Sequence, residues 1–492
     1  MTRKILAGIT ALVFVLSGAA APGGVAASLL SGPQITASAV SYGDFEYTVS
    51  ESGAEITAYN GTDAKVQIPE TVDGAKVVSI GNYAFNNCTS LESITIPEGV
   101  TKIGYGAFNS CKNLSEVVLP DSLTALDNYA FEYCTALTDI TLPAGLTTAN
   151  DAFCNSGLTS ATFKDGMAKI PSGIFSDCSE FKSITFPATV TEIDKYAFNN
   201  CTSLESITIP EGVTKIGYGA FNSCKNLSEV VLPDSLTTLD NYAFEYCTAL
   251  TDITLPAGLT DAYNAFCNSG LTSATFKDGM TKIPNSIFSD CSEFKSITFP
   301  ETVTEIDDYA FNNCTSLESI TIPEGVTKIG YGAFNSCKNL SEVVLPDSLT
   351  TLDNYAFEYC TALTDITLPA GLTTAYNAFC NSGLTSATFK DGMTKIPNDI
   401  FYNCSTLKNV TLPEGLTTIS QYSFAFCKSL RSIELPDSVT EIGYGAFRGC
   451  SSLEYASISN GITKIGDNAF ALCSSLKEFT VPASVTARWL SG

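Results

Sequence analysis

The 492-residue chain contains no histidine. This absence excludes catalytic triads and dyads that use histidine as the general base, and it excludes zinc sites with histidine ligands. Basic residues are also scarce: 26 lysines and arginines face 51 aspartates and glutamates, for a net charge of −25. A field of that sign repels nucleic acid and anionic lipid surfaces. We therefore expect neither a nucleic-acid ligand nor a histidine-dependent enzyme.

Beyond the N-terminus, the chain also lacks any apolar run of membrane length. The N-terminus itself carries Arg3 and Lys4, then an apolar stretch over residues 5–16, then small residues. This order is that of a secretory signal peptide, and the apolar stretch is too short to span a bilayer. We predict a signal peptide over 1–27, with Ala39 as a second candidate for the cleavage position, and a flexible linker over 28–43. The mature chain is expected to be secreted, free or held at a cell surface, without membrane insertion.

A phenylalanine recurs at a short, nearly constant interval through most of the chain, which gives 18 registers. A unit this short cannot bury its own apolar residues, so the copies must stack on one another. We therefore predict a repeat solenoid over residues 81–485. The repeating phenylalanines are Phe85, Phe108, Phe131, Phe153, Phe175, Phe198, Phe221, Phe244, Phe266, Phe288, Phe311, Phe334, Phe357, Phe379, Phe401, Phe424, Phe447 and Phe470.

Each register also contains a short alternation of apolar and polar residues. Ile94, Thr95 and Ile96 form a pattern typical of a strand with one buried face. Pro97 ends that strand because it has no amide hydrogen to donate. Stacked copies would join these strands into one parallel sheet face, with short irregular or helical turns on the other side of the coil.

A longer period is superimposed on the first, and each of its copies is called here a long repeat. Residues 88–200 recur as 201–313 with nine substitutions, and again over 314–402 before the copies diverge. None of the nine replaces a repeating phenylalanine, leucine, isoleucine or cysteine. We therefore expect all nine to lie outside the core.

One register carries a fixed set of residues at fixed spacing. In the first register they are Cys88, Leu91, Ile94, Ile96, Pro97, Val100, Thr101, Ile103, Gly104, Ala107 and Phe108. This motif resembles the BspA-type bacterial leucine-rich repeat, and the resemblance covers about residues 44–485. It implies a leucine-rich-repeat coil stack in a secreted or surface protein that adheres to host proteins, matrix proteins or other cells. It brings no catalytic motif and no site residues.

Two segments flank the repeats. Residues 45–47, 56–61 and 68–69 resemble the opening module of that family, and the resemblance implies an N-terminal capping module over 44–80. At the other end, a tail over 486–492 departs from the motif. Either Trp489 in this tail covers the last coil, or the chain was cut there.

Fifteen of the 18 cysteines lie three residues after the repeating phenylalanine. At one shortened register in each long repeat a serine takes that place and the cysteine follows the phenylalanine directly, as with Ser156 and Cys154. A small buried residue suits this position, which favours a column of free structural thiols. Bridges between neighbouring coils and metal binding stay open as alternatives, although no Cys-x-x-Cys spacing supports a metal.

The residues that could contact a ligand are tyrosines beside the repeating phenylalanine and acidic residues at strand positions. Tyrosine is enriched at binding hot spots, whereas acidic and threonine columns also fit a solvated face. The candidate ligand-contact residues are Tyr105, Tyr129, Tyr218, Tyr242, Tyr331, Tyr355, Glu92, Glu116 and Asp139.

These features together predict a monomeric, non-enzymatic protein without cofactor or metal that binds an extracellular protein or glycoprotein. The alternative function is a structural spacer or self-associating surface or matrix component without a specific ligand, although a charge of −25 opposes close packing of bare copies. A polysaccharide-active enzyme with two carboxylates is a third candidate, and its catalytic residues would have to be triplicated.

Overall fold

The computed structural model describes residues 40–477, 482–485 and 487–488. Strands and turns make up these residues, and no helix occurs among them. The predicted signal peptide, most of the predicted linker and Trp489 lie outside the described residues.

The solenoid begins with a small module of mixed strands. β1, β2 and β3 pair antiparallel in order, β5 pairs antiparallel with β6, and β3 pairs parallel with β6. The rings of Tyr59 and Phe45 lie 5.1 and 6.4 Å from the ring of Phe85, the first repeating phenylalanine. The module therefore covers the first end of the apolar core. Its strands are β1 (Val40–Tyr42), β2 (Phe45–Ser50), β3 (Gly53–Tyr59), β4 (Lys65–Gln67), β5 (Thr71–Val72) and β6 (Ala75–Ile80).

The repeats contribute the remaining strands, all of them short. They are β7 (Ser93–Thr95), β8 (Lys102–Ile103), β9 (Glu116–Val118), β10 (Ala125–Leu126), β11 (Asp139–Leu142), β12 (Ser160–Phe163), β13 (Lys169–Ile170), β14 (Ser183–Thr185), β15 (Glu192–Ile193), β16 (Ser206–Thr208), β17 (Lys215–Ile216), β18 (Glu229–Val231), β19 (Thr238–Leu239), β20 (Asp252–Leu255), β21 (Ser273–Phe276), β22 (Lys282–Ile283), β23 (Ser296–Ile297), β24 (Glu305–Ile306), β25 (Ser319–Thr321), β26 (Lys328–Ile329), β27 (Glu342–Val344), β28 (Thr351–Leu352), β29 (Asp365–Leu368), β30 (Ser386–Phe389), β31 (Lys395–Ile396), β32 (Asn409–Thr411), β33 (Thr418–Ile419), β34 (Ser432–Glu434), β35 (Glu441–Ile442), β36 (Tyr455–Ser457), β37 (Lys464–Ile465) and β38 (Ala487–Arg488).

These strands stack into two sets of parallel ladders. The first ladder contains the predicted strand of each coil, and pairs Ser93 of β7 with Glu116 of β9. The second ladder contains a shorter strand of most coils, and pairs Lys102 of β8 with Ala125 of β10, while the coils of β11, β20 and β29 contribute only an isolated bridge. The predicted parallel coil stack is confirmed, and the structure adds the second ladder. A strand of only two positions is too short to produce the alternation by which a strand is predicted from sequence.

The first ladder consists of the groups β4-β7-β9, β11-β12-β14, β16-β18, β20-β21-β23, β25-β27, β29-β30-β32 and β34-β36. The second ladder continues from β3 and β6 through β8-β10, and then through β13-β15-β17-β19, β22-β24-β26-β28 and β31-β33-β35-β37-β38. Turns carrying the repeating phenylalanine close each coil between the second ladder and the next strand of the first.

The repeating phenylalanines form one continuous column of rings. All 17 consecutive pairs have ring centroids 4.8 to 6.0 Å apart. The widest spacing, 6.0 Å, falls at the shortened register between Phe153 and Phe175 and at its copy between Phe266 and Phe288. There Phe181 replaces the usual leucine and packs 4.8 Å from Phe175. An added ring thus fills the volume that the wider spacing opens.

Eight of the nine substitutions between the first two long repeats lie at exposed or half-buried positions, as expected. The ninth contradicts the expectation that all nine lie outside the core, because Gly173 and its counterpart Ser286 are both buried. The backbone φ at these positions is +61° and +52°, and the Ser286 hydroxyl donates to Asn285 Oδ1 at 2.6 Å. The neighbouring asparagine side chain satisfies the added hydroxyl, which removes the cost of burying it.

We predict that Phe221→Ala destabilises the protein by about 3 to 5 kcal/mol, the usual cost of a large cavity in a packed core. Phe221 is fully buried and its ring stacks at 5.1 Å on both Phe198 and Phe244. Denaturant unfolding would measure the loss, with the exposed Thr208→Ala as the matched control, which should stay within about 0.5 kcal/mol of wild type. A Phe221→Ala loss no larger than that of the control would show that the column carries little of the stability.

Candidate functional site

The predicted tyrosines lie in three clusters at the corner between the second ladder and the turns. In the first, Tyr105 makes edge-on contact with Tyr83 at 5.3 Å and with Tyr129 at 5.5 Å. Edge-on contacts recur around Tyr218 at 5.3 and 5.5 Å, and Tyr331 contacts Tyr355 edge-on at 5.5 Å and Tyr309 at 5.1 Å with the rings tilted by 57°. The tyrosine clusters are therefore Tyr83/Tyr105/Tyr129, Tyr196/Tyr218/Tyr242 and Tyr309/Tyr331/Tyr355.

A glycine makes room for the first ring of each cluster. A Cβ at Gly106, where φ is +56°, would lie 2.7 Å from a ring carbon of Tyr83, and Gly219 and Gly332 stand in the same relation to Tyr196 and Tyr309 at 2.8 Å. Any larger residue at these glycines would displace the ring.

The outer tyrosines of each cluster adopt a left-handed backbone. Tyr83 has φ of +58° and Tyr129 has φ of +62°, a conformation that costs a bulky residue about 1 to 3 kcal/mol. In other coils the same position carries residues that tolerate it better, such as Asp151, Gly173 and Asn264. The left-handed backbone at this position therefore favours glycine, asparagine or aspartate over tyrosine.

A glutamate adjoins each cluster, one residue after the repeating phenylalanine. These are Glu132, Glu245 and Glu358. Glu245 accepts a hydrogen bond from Asn222 Nδ2 at 2.7 Å, and Asn335 holds Glu358 in the same way at 2.9 Å. Burial and then the Glu245 carboxylate raise the pKa of Tyr242, which places that negative charge close to the cluster.

The predicted acidic residues lie elsewhere, at the start of first-ladder strands, and all are exposed. Glu116 accepts a hydrogen bond from Ser93 Oγ at 3.0 Å, and Asp139 accepts one from Thr138 at 3.2 Å. The carbonyl of Glu92 accepts the amides of the next coil. The structure therefore brings the tyrosines together in clusters and places Glu92, Glu116 and Asp139 on the far side of the turns from them.

Two rows of threonine differ in a way that the sequence did not indicate. Beside the second ladder, Thr124 Oγ1 donates to the carbonyl of Thr101 at 3.1 Å, and other threonines of that row repeat the contact with a partner one coil earlier. On the first ladder, the hydroxyls of Thr162 and Thr185 make no hydrogen bond within the described residues. The row beside the second ladder is explained by coil stacking, whereas Thr162 and Thr185 on the first ladder are exposed.

The first ladder also carries exposed valines and open grooves, and the candidate ligand-contact residues predicted from the sequence include neither. Val118, Val231 and Val344 are each nearly half exposed. A groove of about 520 Å³ lies over β21 and β23, and a groove of about 350 Å³ lies at the equivalent place over β12 and β14. Valine at a strand position gives no sequence signal, because it is expected there on propensity alone.

The cysteine column lies within the core. All 18 cysteines are free, and only Cys88 and Cys473 at the two ends are half-buried. Fourteen thiols donate to the carbonyl of the repeating phenylalanine one coil earlier, as Cys224 does to Phe198 at 3.1 Å. The sequence favoured free thiols over bridges between neighbouring coils, and the cysteines of the structure are free.

A family model for the BspA type leucine rich repeat region matches residues 62–182, 168–295, 281–376 and 373–487. The chain belongs to the BspA-type leucine-rich repeat family. Proteins of this kind generally engage in protein–protein interaction and serve as non-enzymatic scaffolds. No curated protein sequence matches the chain.

Several solved structures resemble this BspA-type chain. A leucine-rich repeat protein from Bacteroides ovatus is 28% identical, with 89% of this chain and 93% of that one covered and a TM-score of 0.41. The leucine rich repeat protein of T. pallidum is 29% identical, with 43% and 90% covered and a TM-score of 0.33. A leucine rich cell surface protein from Faecalibacterium prausnitzii is 24% identical, with 93% and 100% covered and a TM-score of 0.28.

Two kinds of feature are absent from the described part of this BspA-type chain. No helix there has the length and apolar character needed to cross a membrane. No group of three or more acidic or cysteine side chains there is arranged to hold a metal ion.

We predict that two thiols react much faster than the other 16 with a thiol reagent at pH 8. Hydrogen bonding to Cys111 lowers the pKa of the half-buried Cys88, and hydrogen bonding to Cys450 lowers that of Cys473. Inside the column, burial raises the pKa of Cys224 to about 12, and thiolates are the reactive form. Replacing both end cysteines by serine should abolish the fast phase. Uniform reaction of all thiols in the native protein would contradict the buried column.

The same burial predicts that stability falls at alkaline pH. The folded-state pKa of Cys224, Cys291 and Cys337 is raised to about 12 from the ordinary value of 9.0. Between those two values the unfolded chain loses protons that the folded chain retains, so the free energy of unfolding decreases as pH rises through this window. Denaturant midpoints at pH 8 and pH 10.5 would measure it. Cys224→Ser should reduce the dependence, and a pH-independent midpoint would refute the assignment.

Proposed function

We propose that the mature chain is a secreted or cell-surface scaffold that binds an extracellular protein or glycoprotein and so mediates adhesion to host tissue, matrix or other cells. The observation that carries the proposal is the triplicated surface. The tyrosine clusters around Tyr105, Tyr218 and Tyr331 recur once in each long repeat with nearly the same ring geometry. A binding scaffold gains from such repetition, whereas an enzyme needs one complete active site.

The extracellular location rests on the order of charged, apolar and small residues at the N-terminus, which is that of a secretory signal peptide. The acidic surface supports the same assignment, because a net charge of −25 disfavours nucleic acid and anionic membranes as ligands. It also keeps copies of the chain apart, which favours a monomer that presents its surface to other partners.

Repetition on one stack has a quantitative consequence for binding. Five coils separate equivalent positions, or roughly 24 Å at the usual strand spacing of about 4.8 Å. A multivalent or fibrous partner can engage several copies at once, and such avidity exceeds single-site affinity by about 10²- to 10⁴-fold. The proposed adhesion therefore depends on the number of long repeats that remain.

We predict that deleting residues 201–313 sharply weakens retention on immobilised serum proteins or bacterial cells, while the chain stays folded and monomeric. The deletion joins Asn200 to Cys314, which reproduces the native junction of Asn200 with Cys201 and keeps the stacking register. Circular dichroism and light scattering would control for folding and for oligomeric state. Unchanged retention, with equal binding by a chain that ends at Asn200, would replace adhesion by the structural-spacer function.

A further inference from the structure

The tyrosine clusters have two properties that coil stacking does not require. They expose aromatic rings, since Tyr83 is 53% exposed and Tyr105 and Tyr218 are each 38% exposed. They also place bulky residues in a left-handed backbone that asparagine, aspartate and glycine occupy in neighbouring coils. Backbone strain of this kind persists where a functional contact or packing offsets it.

The charge around the clusters narrows the choice of ligand. Each of the three clusters adjoins a glutamate, and Asp151 beside Tyr129 adds a second carboxylate to the first cluster and raises the pKa of the Tyr129 phenol. Exposed tyrosine faces and nearby carboxylates both attract cations. An anionic ligand would meet repulsion at the same place.

The shape of the clusters favours a planar cation. Five of the six ring contacts in the clusters are edge-on, at interplanar angles of 68° and 88° in the first cluster, so ring faces and edges alternate along the row. A guanidinium can lie on a ring face while its N–H groups reach a carboxylate, whereas an ammonium is a point charge with stronger hydration. Arginine therefore fits this arrangement better than lysine does.

The chain contains a natural comparison at a fourth group of tyrosines. Tyr422 and Tyr444 make the same edge-on contact at 5.2 Å. In the last coil of this pair the residue after the repeating phenylalanine is Arg448, whereas in the last coil of each cluster it is a glutamate. Arg448 and Asp399 place opposite charges beside Tyr422, so this pair attracts a cationic ligand less than the three clusters do.

We propose that each of the three tyrosine clusters, with its adjoining glutamate, is a docking site for an arginine-rich segment of a partner protein. This inference rests on the proposed function and names the chemistry of the partner. The three sites lie along one stack, so a partner with several such segments, or with one long segment, binds more than one.

The test measures binding of fluorescent octa-arginine and octa-lysine to the full mature chain by anisotropy at physiological salt. Wild type should bind octa-arginine several-fold more tightly than octa-lysine. Replacing Tyr105, Tyr129, Tyr218, Tyr242, Tyr331 and Tyr355 by asparagine should weaken octa-arginine binding about tenfold and abolish the preference. Asparagine suits these positions because Asn128 and Asn264 occupy them in other coils. Tyr444→Asn is the matched control and should change neither affinity.

Equal affinity for the two peptides in wild type, or unchanged octa-arginine binding in the six-asparagine variant, would overturn the inference. Peptide binding would then be explained by the overall negative charge of the protein alone. The retention assay separates it from the proposed function. If deletion of residues 201–313 abolishes retention while the six-asparagine variant is retained like wild type, adhesion stands and the tyrosine docking site does not.

Discussion

Every other feature of this molecule depends on the stacking of one coil on the next. A single coil has a phenylalanine, a leucine and two or three isoleucines or valines to bury, and no second layer of its own against which to bury them. The neighbouring coils provide that layer, as when Phe221 lies between two parallel rings at 5.1 Å. Register is therefore strict, since a slip of one residue would move each column out of line.

The places where the register shortens show how strict this condition is. Where the coil loses a residue, the cysteine leaves its column and Ser156 enters it, with its hydroxyl 3.5 Å from the sulfur of Cys178. The phenylalanine spacing widens to 6.0 Å at the same point, and additional phenylalanines enter the core around Phe175. The core changes composition at the irregularity, and the added rings of Phe181 and Phe163 lie 4.8 and 6.2 Å from Phe175.

The buried columns could be predicted from the sequence because burial at a fixed period leaves a signal at a fixed period. Phenylalanine, leucine and cysteine recur at constant spacing, and the structure buries them where expected. The second ladder could not be predicted, because a Lys-Ile pair such as 102–103 is too short to alternate. The tyrosine clusters were predicted only in part. The sequence places Tyr83, Tyr105 and Tyr129 beside the repeating phenylalanine, but the contact between their rings was not predicted. The signal for that contact was Gly106, whose lack of a Cβ admits the Tyr83 ring.

Coil stacking constrains the surface residues less than the core residues. A residue type that recurs on the surface therefore points to a role other than packing. The left-handed position before the repeating phenylalanine accepts glycine, asparagine, aspartate, serine and tyrosine in different coils, so packing alone does not determine it. Tyrosine, the costliest of these, occurs there in the first and the last coil of each of the three clusters, and in the last coil a glutamate follows the repeating phenylalanine each time. Substitutions elsewhere between the first two long repeats show that the copies have drifted. The cluster tyrosines and their glutamates are nevertheless identical in these two long repeats, despite the backbone strain. The stack holds the resulting clusters five coils apart.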